Sequence, residues 1–345
     1  MKIAVIGAGI VGVTTSLAIQ EAFPDHRVTI FAELFSPETT GDGSAGLWGP
    51  YILGDTPENR ILRWSSGTHR WLSGLWKKGC ASDAGVSLIP VTRVTSAKGG
   101  YPDPVWKSTV FGARKIGPDQ LKRLSEEHGA DYTGGWRFVT FTGEPARLIP
   151  WVLRRFTTGG GKIERRKIEE LEELALEGFD LVVNCAGLGA RELANDFRVK
   201  PVRGQVTRVE ALWAFNVFIS DDDDSHYVIP NIESVVLGGT HQEDDYDREI
   251  REEDTKFIHE GCLRILPALR GARILRQWAG LRPGRSSVRL EIEFPRGENG
   301  RTFPVIHNYG HGGSGVTLSW GCASEVVQII KDNFCVSRNN IDSKL

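Results

Sequence analysis

The sequence is poor in the residues that mark several classes of protein. Its 345 residues include only five cysteines and one methionine. The cysteines are widely spaced and form no Cys-x-x-Cys pair, which argues against a disulfide framework and against a structural zinc site. We therefore expect no metal centre, and a compartment in which thiols stay reduced.

An excess of charge of one sign is also missing. The chain has 42 basic and 44 acidic residues and a formal net charge of −2, so it lacks the basic surface that a nucleic-acid-binding protein needs. Long basic blocks typical of membrane-surface proteins are absent too. With 40% hydrophobic residues and this length, we expect a globular protein of about two domains.

Glycine, in contrast, is abundant, and the first glycine-rich motif is GAGIVG at residues 7–12. It follows the apolar run KIAVI, which predicts a buried strand, and precedes a predicted helix from Val11 to Ala22. A second predicted strand ends at Glu33. This strand–turn–helix–strand pattern is typical of dinucleotide binding, with a pyrophosphate at the helix N-terminus and Glu33 near a ribose. The alternative for Glu33 is an ordinary surface position.

A second glycine-rich turn, from Gly310 to Gly315, precedes another predicted helix near the end of the chain. Unsatisfied N–H groups and the helix dipole make such an N-terminus positive. If the first turn binds a pyrophosphate, the second suits a group that becomes negative, such as a flavin ring after it has accepted a hydride. This favours FAD over NAD. The alternative is a turn that binds no ligand.

The order of the segments predicts an α/β fold with interleaved domains. Residues 147–163 read as an amphipathic helix, residues 164–168 as a short strand, and FDLVVN at 179–184 as a buried strand, whereas residues 52–141 show recurring tryptophans and few strand–helix alternations. Alternation near residues 201–210 and 227–240 predicts a second sheet. We predict a Rossmann-like FAD-binding domain of residues 1–51, 145–195 and 281–345. A mainly antiparallel-sheet substrate domain would comprise residues 52–144 and 196–280.

Five motifs together resemble the family of D-amino-acid oxidases and D-aspartate oxidases. They are AGLWGPY (45–51), VNCAGLGA (183–190), PVRGQV (201–206), GLRPGRSSVRLE (280–291) and HNYGHGGSG (307–315), and the likeness extends from Met1 to about Lys331. The resemblance implies FAD-dependent oxidative deamination of D-amino acids to 2-oxo acids, ammonia and hydrogen peroxide. Hydride would pass to flavin N5, and O2 would reoxidise the flavin. No general base is required.

The resemblance also implies specific site residues. Arg282 and Tyr227 would bind the substrate carboxylate, and Gly313 would lie beside the substrate; the alternative for Arg282 is a structural ion pair, since Arg285 and Arg289 are close in sequence. His307 and His311 are interpreted as local hydrogen-bonding residues. The implied FAD-binding residues are Ala8, Gly9, Ile10, Val11, Ala32, Glu33, Thr39, Thr40, Gly46, Leu47, Ile168, Ala186, Gly312, Gly313, Gly315, Val316 and Thr317. Of these, Thr39 and Thr40 would offer hydroxyls to a phosphate.

Three positions argue against a substrate with an acidic side chain. Ser220 and His241 occupy positions where the resemblance places arginines of D-aspartate oxidases, and Gly313 replaces a serine of that branch. The acidic run Asp221 to Asp224 would also disfavour a dicarboxylic substrate, unless it is a solvated loop. The short segment from Phe218 to Tyr227, in contrast, is like that of the aspartate branch and leaves the entrance open.

We therefore predict a D-amino-acid oxidase for neutral or basic substrates. The alternative is a D-aspartate oxidase acting on D-Asp and D-Glu. An NAD-dependent dehydrogenase and a catalytically silent flavin-binding protein are less favoured. The roles of His241, His311 and Ser314 are left open.

The last three residues, Ser343-Lys344-Leu345, match a peroxisomal address read by an import receptor, unless they are a chance tripeptide on a polar tail. The expected location is the peroxisomal matrix. The expected partners are a D-amino acid, O2 and that receptor, with neither nucleic acid nor membrane. The oligomeric state, including a homo-oligomer, is left open.

Overall fold

A computed structural model describes residues 1–221, 226–298 and 300–335. The predicted roles of Asp222 to Asp224 and of Ser343-Lys344-Leu345 therefore lie outside the described residues. Within them, all five cysteines are free thiols. None of the described helices is long and apolar enough to cross a membrane.

The described chain alternates between strands and helices. The strands are β1 (Lys2–Ile6), β2 (Arg27–Ala32), β3 (Val86–Thr95), β4 (Phe111–Lys115), β5 (Gly134–Gly143), β6 (Lys162–Arg165), β7 (Leu181–Asn184), β8 (Lys200–Val209), β9 (Val217–Ser220), β10 (Tyr227–Pro230), β11 (Val235–Gly238), β12 (Gln242–Glu243), β13 (Ile274–Gly284), β14 (Arg289–Glu293) and β15 (Val305–Tyr309). The helices are α1 (Ile10–Ala22), α2 (Glu58–Lys77), α3 (Ala81–Ala84), α4 (Pro118–His128), α5 (Pro145–Thr158), α6 (Leu171–Leu176), α7 (Ala190–Leu193), α8 (Glu252–Ile265) and α9 (Gly315–Phe334).

The first sheet has the order β14-β15-β7-β1-β2-β6, and all of its pairs are parallel except β14 with β15. Its central strands are apolar and almost wholly buried, as strands covered on both faces must be. Helix α1 packs against both α5 and α9. The sheet confirms the predicted Rossmann-like layer and places both glycine-rich turns after parallel strands.

The second sheet has the order β12-β8-β11-β10-β9-β3-β5-β4, and β13 pairs with β8. Its pairs are antiparallel except β3 with β9, which confirms a mainly antiparallel second sheet. Strand β13 continues to Gly284 in this sheet, so Arg282 belongs to it although residue 282 was placed in the FAD-binding domain. The exact domain limits stay a prediction.

Two sequence predictions of secondary structure differ from the structure in detail. The amphipathic helix predicted within residues 147–163, closed by glycines, extends from Pro145 to Thr158 and is followed by Gly159 to Gly161, and the strand expected from residue 164 begins two residues earlier, as β6. Residues 52–141 hold β3, β4 and β5 as well as three helices. The tryptophans in this segment pack against different parts of the protein, so they do not follow the periodicity of one strand or helix. Trp71, for example, stacks on Trp320 of α9 with ring centroids 4.7 Å apart.

A buried histidine lies in the core beside the second sheet. The His69 ring is in contact with Trp48, Phe111 and Phe141, at centroid distances of 4.9, 5.3 and 5.0 Å, and its Nε2 has no hydrogen-bond partner. Burial, reinforced by Arg70, lowers its pKa to about 4. His69 is therefore neutral in the folded protein at neutral pH.

Stability should consequently fall in mild acid. The unfolded chain binds a proton at His69 below about pH 6.5, but the folded chain does so only near pH 4, so this contribution is complete above pH 6.5 and is lost as the pH falls towards 4. The full loss is about 3 kcal/mol. Melting curves of wild type and His69→Phe from pH 7.5 to 4 should show a smaller decline in the variant. An equal decline in both proteins would contradict this assignment.

Candidate active site

A cavity of about 820 Å³ lies between the two sheets and is lined by both glycine-rich turns. Its lining includes Glu33 and Ile168, at the carboxyl edge of the parallel sheet. It also includes Tyr227 and Arg282 of the antiparallel sheet. In open parallel sheets ligands bind at this carboxyl edge. The same cavity is therefore lined both by the predicted nucleotide site and by the predicted substrate site.

The first turn is shaped for close approach by a ligand. Gly7 has φ +105° and its N–H donates to the Phe31 carbonyl at 2.8 Å. A side chain at Gly12 would collide with the Gly7 carbonyl. At Gly9, in contrast, a Cβ would meet no protein atom within 4 Å, although Gly9 lines the cavity. Gly7 and Gly12 are thus required by the turn itself, whereas Gly9 leaves space for a ligand.

The second turn opens on the same cavity. Gly312 has φ +52°, and its N–H donates to the Pro283 carbonyl at 3.0 Å. Helix α9 then begins at Gly315. Gly315 lies next to Ile10 of α1: a Cβ added at Gly315 would be 3.5 Å from the Ile10 side chain. The N-termini of α1 and α9 therefore converge, and their unpaired N–H groups and positive dipole ends favour an electron-rich ligand.

Nearly all the residues predicted to bind FAD lie on this cavity wall. Contact with FAD itself stays a prediction. Those that line the cavity are Ala8, Gly9, Ile10, Val11, Ala32, Glu33, Thr39, Thr40, Gly46, Leu47, Ile168, Ala186, Gly312, Gly313, Gly315 and Val316. Thr317 does not: it is buried, and its hydroxyl exchanges hydrogen bonds with the backbone of Gly49 at 3.1 Å.

Thr39 and Thr40 line the cavity, but their hydroxyl protons already have protein acceptors. Thr39 donates to Asp42 at 2.6 Å, and Thr40 donates to the Leu281 carbonyl at 3.3 Å. A hydroxyl carries one proton. The Thr39 N–H also donates to Asp42, at 3.0 Å. In this geometry neither hydroxyl can donate to a phosphate unless it gives up its present hydrogen bond.

Sheet register explains how the substrate end of the cavity is built. Partners in neighbouring strands point to the same face. One such row crosses six adjacent strands and consists of Trp278, Val206, Gly238, Tyr227, Ile219 and Arg93. All of these except Gly238 line the cavity. The second sheet therefore presents one face of alternating side chains to the ligand.

Two glycines in this sheet make room for the predicted carboxylate-binding residues. A Cβ at Gly204 would overlap the Arg282 guanidinium, and a Cβ at Gly238 would overlap the Tyr227 ring. Arg282 Nη1 donates to the carbonyls of Arg203 at 3.2 Å and Thr240 at 3.1 Å, which hold its position. Burial raises the pKa of Tyr227, against the opposing effect of nearby Arg282, so its hydroxyl keeps its proton.

The structure also bears on the alternative that Arg282 serves a structural ion pair. Arg285 and Arg289 do so: both lie near the buried carboxylate of Asp196, at 2.9 and 3.9 Å. Within residues 1–221, 226–298 and 300–335, no carboxylate lies within salt-bridge distance of Arg282. Its charge therefore faces a cavity that suits an anionic group.

Gly313 lies against an aromatic ring of the cavity wall. A Cβ at Gly313 would come within 2.5 Å of Tyr51 Cδ1, so a serine there would displace this ring. Ser314, whose role the sequence left open, is fully buried and does not line the cavity. Its hydroxyl accepts from Tyr51 N–H at 2.6 Å and donates to the Tyr51 carbonyl at 2.7 Å. Ser314 thus holds Tyr51 in place.

The histidines near the site have different surroundings. His307 is buried beside Glu293, at 3.1 Å, and does not line the cavity, whereas His241 lies 3.6 Å from Glu243. His311 lines the cavity, its buried Nε2 has no hydrogen-bond partner in the described chain, and burial lowers its pKa to about 4. It is a neutral polar group without a protein partner, which suits a bound cofactor.

Sequence reasoning missed several cavity residues. Trp278 precedes Arg282 by four positions on β13, and two-residue alternation in this strand was a signal that would have identified it. Tyr51 ends the recognised AGLWGPY motif. Arg93 and its partner Asp221 carry no local signal for pairing, because 128 residues separate them. Among the described residues, no group of three or more His, Cys, Asp or Glu is arranged to hold a metal ion.

Comparison with known proteins identifies the family. The family model "DAO: FAD dependent oxidoreductase" matches residues 2–329. The chain belongs to this family. It is 37% identical over 331 residues to the human D-aspartate oxidase, covering 96% of this chain and 95% of that protein. It is also 37% identical over 342 residues to a D-amino acid oxidase of Dugesia ryukyuensis, covering 96% and 98%.

Among solved structures, glycine oxidase from Geobacillus kaustophilus has a similar fold. The TM-score is 0.76, with 15% identity, and the match covers 96% of this chain and 94% of that one. The cofactor of the family is FAD, and this cavity fits it: the open approach at Gly9, the two converging helix N-termini and the unpaired His311 Nε2 all accommodate such a ligand. Glu33 lines the same cavity, and its contact with an adenosine ribose stays a prediction.

A substitution at Gly9 should separate folding from flavin binding. Because a Cβ at this position would meet no protein atom within 4 Å, Gly9→Val should leave the apoprotein folded but obstruct the cofactor. We expect FAD affinity to fall about tenfold or more, or about 1.4 kcal/mol, measured by flavin absorbance and by the melting temperature with and without FAD. Gly74→Ala, in α2 and away from the cavity, is the control. If Gly9→Val bound FAD as tightly as wild type, the inference that FAD lies close to the backbone at Gly9 would be wrong.

Proposed function

We propose that this protein catalyses FAD-dependent oxidative deamination of D-amino acids with neutral or basic side chains. The products are the 2-oxo acid, ammonia and hydrogen peroxide. The observation that carries the proposal is the position of Arg282, which faces the cavity beside Tyr227 and has no carboxylate partner in the described chain. The relatives named D-amino acid oxidase and D-aspartate oxidase support the same class of reaction.

The residues present suit a reaction that depends on orientation. Arg282 offers a planar guanidinium for two hydrogen bonds to the substrate carboxylate. Tyr227, held in its protonated form, donates a further hydrogen bond. When bound, FAD supplies the acceptor for a hydride from the substrate Cα. Apolar side chains of the cavity wall, which include Trp278 and Ile229, would reduce the access of water to a bound substrate.

The proposed reaction does not require a side chain that acts as a general base. The low pKa of His311, about 4, keeps this ring unprotonated and weakly basic at neutral pH. His311 can form a hydrogen bond to a bound group, but it is not needed as a base. Catalysis comes from the orientation of the substrate and from electrostatic stabilisation. This supports the prediction that no general base is needed.

The second candidate is a D-aspartate oxidase. It is favoured by the similarity to the human enzyme of that name and by Arg93, a cation on the cavity wall. Against it, Ser220 and His241, the positions expected to carry arginines in that branch, do not line the cavity. Gly313 also packs against Tyr51 and leaves no room for the serine of that branch.

The choice between these candidates is testable with purified holoenzyme and three substrates. Hydrogen peroxide release is measured with D-alanine, D-arginine and D-aspartate, each over a range of concentrations. We expect kcat/KM for D-alanine or D-arginine to exceed that for D-aspartate by about tenfold or more, because the buried Arg93 is already paired with Asp221 and the charge of Arg248 is screened by solvent. Dominant turnover of D-aspartate would favour the second candidate instead.

Arg282 can be tested by a matched pair of arginine variants on β13. Arg282→Gln should lower kcat/KM for the preferred substrate by on the order of 100-fold, since the carboxylate loses its charged partner. Arg276→Gln, on the same strand but exposed and outside the cavity, should change it less than about threefold. Flavin content, measured by absorbance, should match wild type in both. Equal effects of the two variants would remove Arg282 from the substrate site.

We also propose that Ser343-Lys344-Leu345 directs the protein to the peroxisome through the import receptor. The support is the tripeptide itself and the production of hydrogen peroxide by the proposed reaction. A fluorescent label is attached to the N-terminus of the full chain, and its distribution is compared with that of a chain lacking Leu345. Punctate signal that becomes diffuse on deletion supports the proposal. The same distribution for both proteins would contradict it.

A further inference from the structure

A buried ion pair lies on the substrate side of the cavity. Arg93 Nε donates to Asp221 Oδ2 at 2.5 Å, and Arg93 Nη2 donates to Oδ1 at 2.9 Å. The two side chains are only 14% and 16% exposed, and both line the cavity. The Asp221 N–H donates to the Val94 carbonyl at 3.0 Å, which fixes the carboxylate next to β3.

Both members of the pair are firmly positioned. Burial by itself would lower the pKa of Arg93, but the Asp221 carboxylate outweighs this effect and raises it. Tyr101 donates a further hydrogen bond to Asp221 Oδ2 at 2.5 Å, and the Arg93 guanidinium lies 5.6 Å from the centre of the Tyr101 ring. Tyr101 does not line the cavity and is a positioning residue.

Register places this pair beside the carboxylate-binding residues. Arg93 is the direct partner of Ile219, and Ile219 is the direct partner of Tyr227. Two strand spacings separate Arg93 from Tyr227, a distance of about 10 Å between backbones, and the three side chains share one face. Tyr51 lies near enough to influence both Arg93 and Tyr227 electrostatically. When Tyr227 binds the carboxylate of a D-amino acid, the side chain of that amino acid can therefore reach the ion pair.

We propose that Arg93 and Asp221 form the side-chain subsite and select D-amino acids with uncharged side chains. This rests on the proposed function and narrows it from neutral or basic to neutral substrates. The pair has no net charge. An acidic side chain attracted by Arg93 would be repelled by Asp221, and a cationic one attracted by Asp221 would be repelled by Arg93, so neither gains a net electrostatic attraction from the pair. Polar uncharged and apolar side chains meet no such opposing charge.

The competing explanation is that the pair only ties the end of β9 to β3. Buried ion pairs are a poor means of stabilisation, because desolvation offsets their attraction and well-packed apolar residues often replace them without loss. Their position on a ligand cavity therefore suits discrimination better. Arg248 also borders the cavity, but it is exposed and solvent screens its charge.

The test removes one charge at a time and compares substrates whose side chains share a carbon skeleton. Asp221→Asn leaves Arg93 uncompensated and should raise the kcat/KM ratio of D-glutamate to D-glutamine about tenfold or more. Arg93→Gln leaves Asp221 uncompensated and should raise the ratio of D-lysine to D-norleucine by a similar factor. The double variant should return both ratios to within about threefold of wild type. Opposite shifts in the two single variants cannot arise from a general loss of structure.

Two further variants serve as controls. Arg93→Lys keeps the charge and should keep the wild-type order of substrates, and Tyr101→Phe keeps both charges and should change KM more than the substrate order. If both single variants retain flavin and oxidise D-glutamine, but all ratios stay within threefold of wild type, the pair is structural and the proposal is overturned.

A binding measurement on wild type keeps the proposal testable if the variants fail to fold. Pentanoate, glutarate and 5-aminopentanoate have chains of equal length and differ in the charge of their tails. Their dissociation constants are measured from changes in flavin absorbance. We expect pentanoate to bind about tenfold or more tightly than either charged-tail acid; equal or tighter binding of a charged-tail acid would overturn the proposal. If wild type oxidises no D-amino acid, the proposed function fails, and this binding order still tests the subsite.

Discussion

The close contact between two helix N-termini is the constraint on which the rest of the site depends. Ile10 of α1 and Gly315 of α9 meet at one cavity, so two positive dipole ends and two sets of unpaired N–H groups face the same ligand. One ligand can use both if it is electron-rich at two places. A dinucleotide with a redox ring meets this requirement. The two glycine-rich turns are far apart in the sequence, but they follow strands β1 and β15 of the same sheet, which brings them together.

The antiparallel sheet supplies the complementary half through its register. Gly204 and Gly238 have no side chains, and the space they leave is filled by Arg282 and Tyr227. The guanidinium is held by backbone carbonyls rather than by a carboxylate, so its charge is available to a ligand. The buried pair of Arg93 and Asp221 lies on the same face and cancels its own charge. The site thus combines the available charge of Arg282 with an ion pair that has no net charge.

The sequence predicted those parts of the fold that local chemistry encodes. GAGIVG, the glycine-rich turn before α9 and the apolar strands β1 and β7 follow from backbone and burial requirements within a few residues. The motif around Arg282 was recognised by resemblance, but its place on β13 of the second sheet was not, since pairing with β8 is a long-range contact. The strands within residues 52–141 were missed for the same reason. Arg93 was not identified because its neutralising partner is distant in sequence.

The measurement that tests the central claim most directly is anaerobic reduction of the bound flavin by the two enantiomers of one neutral amino acid. The account predicts that D-methionine bleaches the flavin absorbance within the mixing experiment, that L-methionine does not, and that admission of O2 restores the colour with release of one hydrogen peroxide per flavin. Bleaching by L-methionine, or no bleaching by any D-amino acid in a protein that contains flavin, would contradict it.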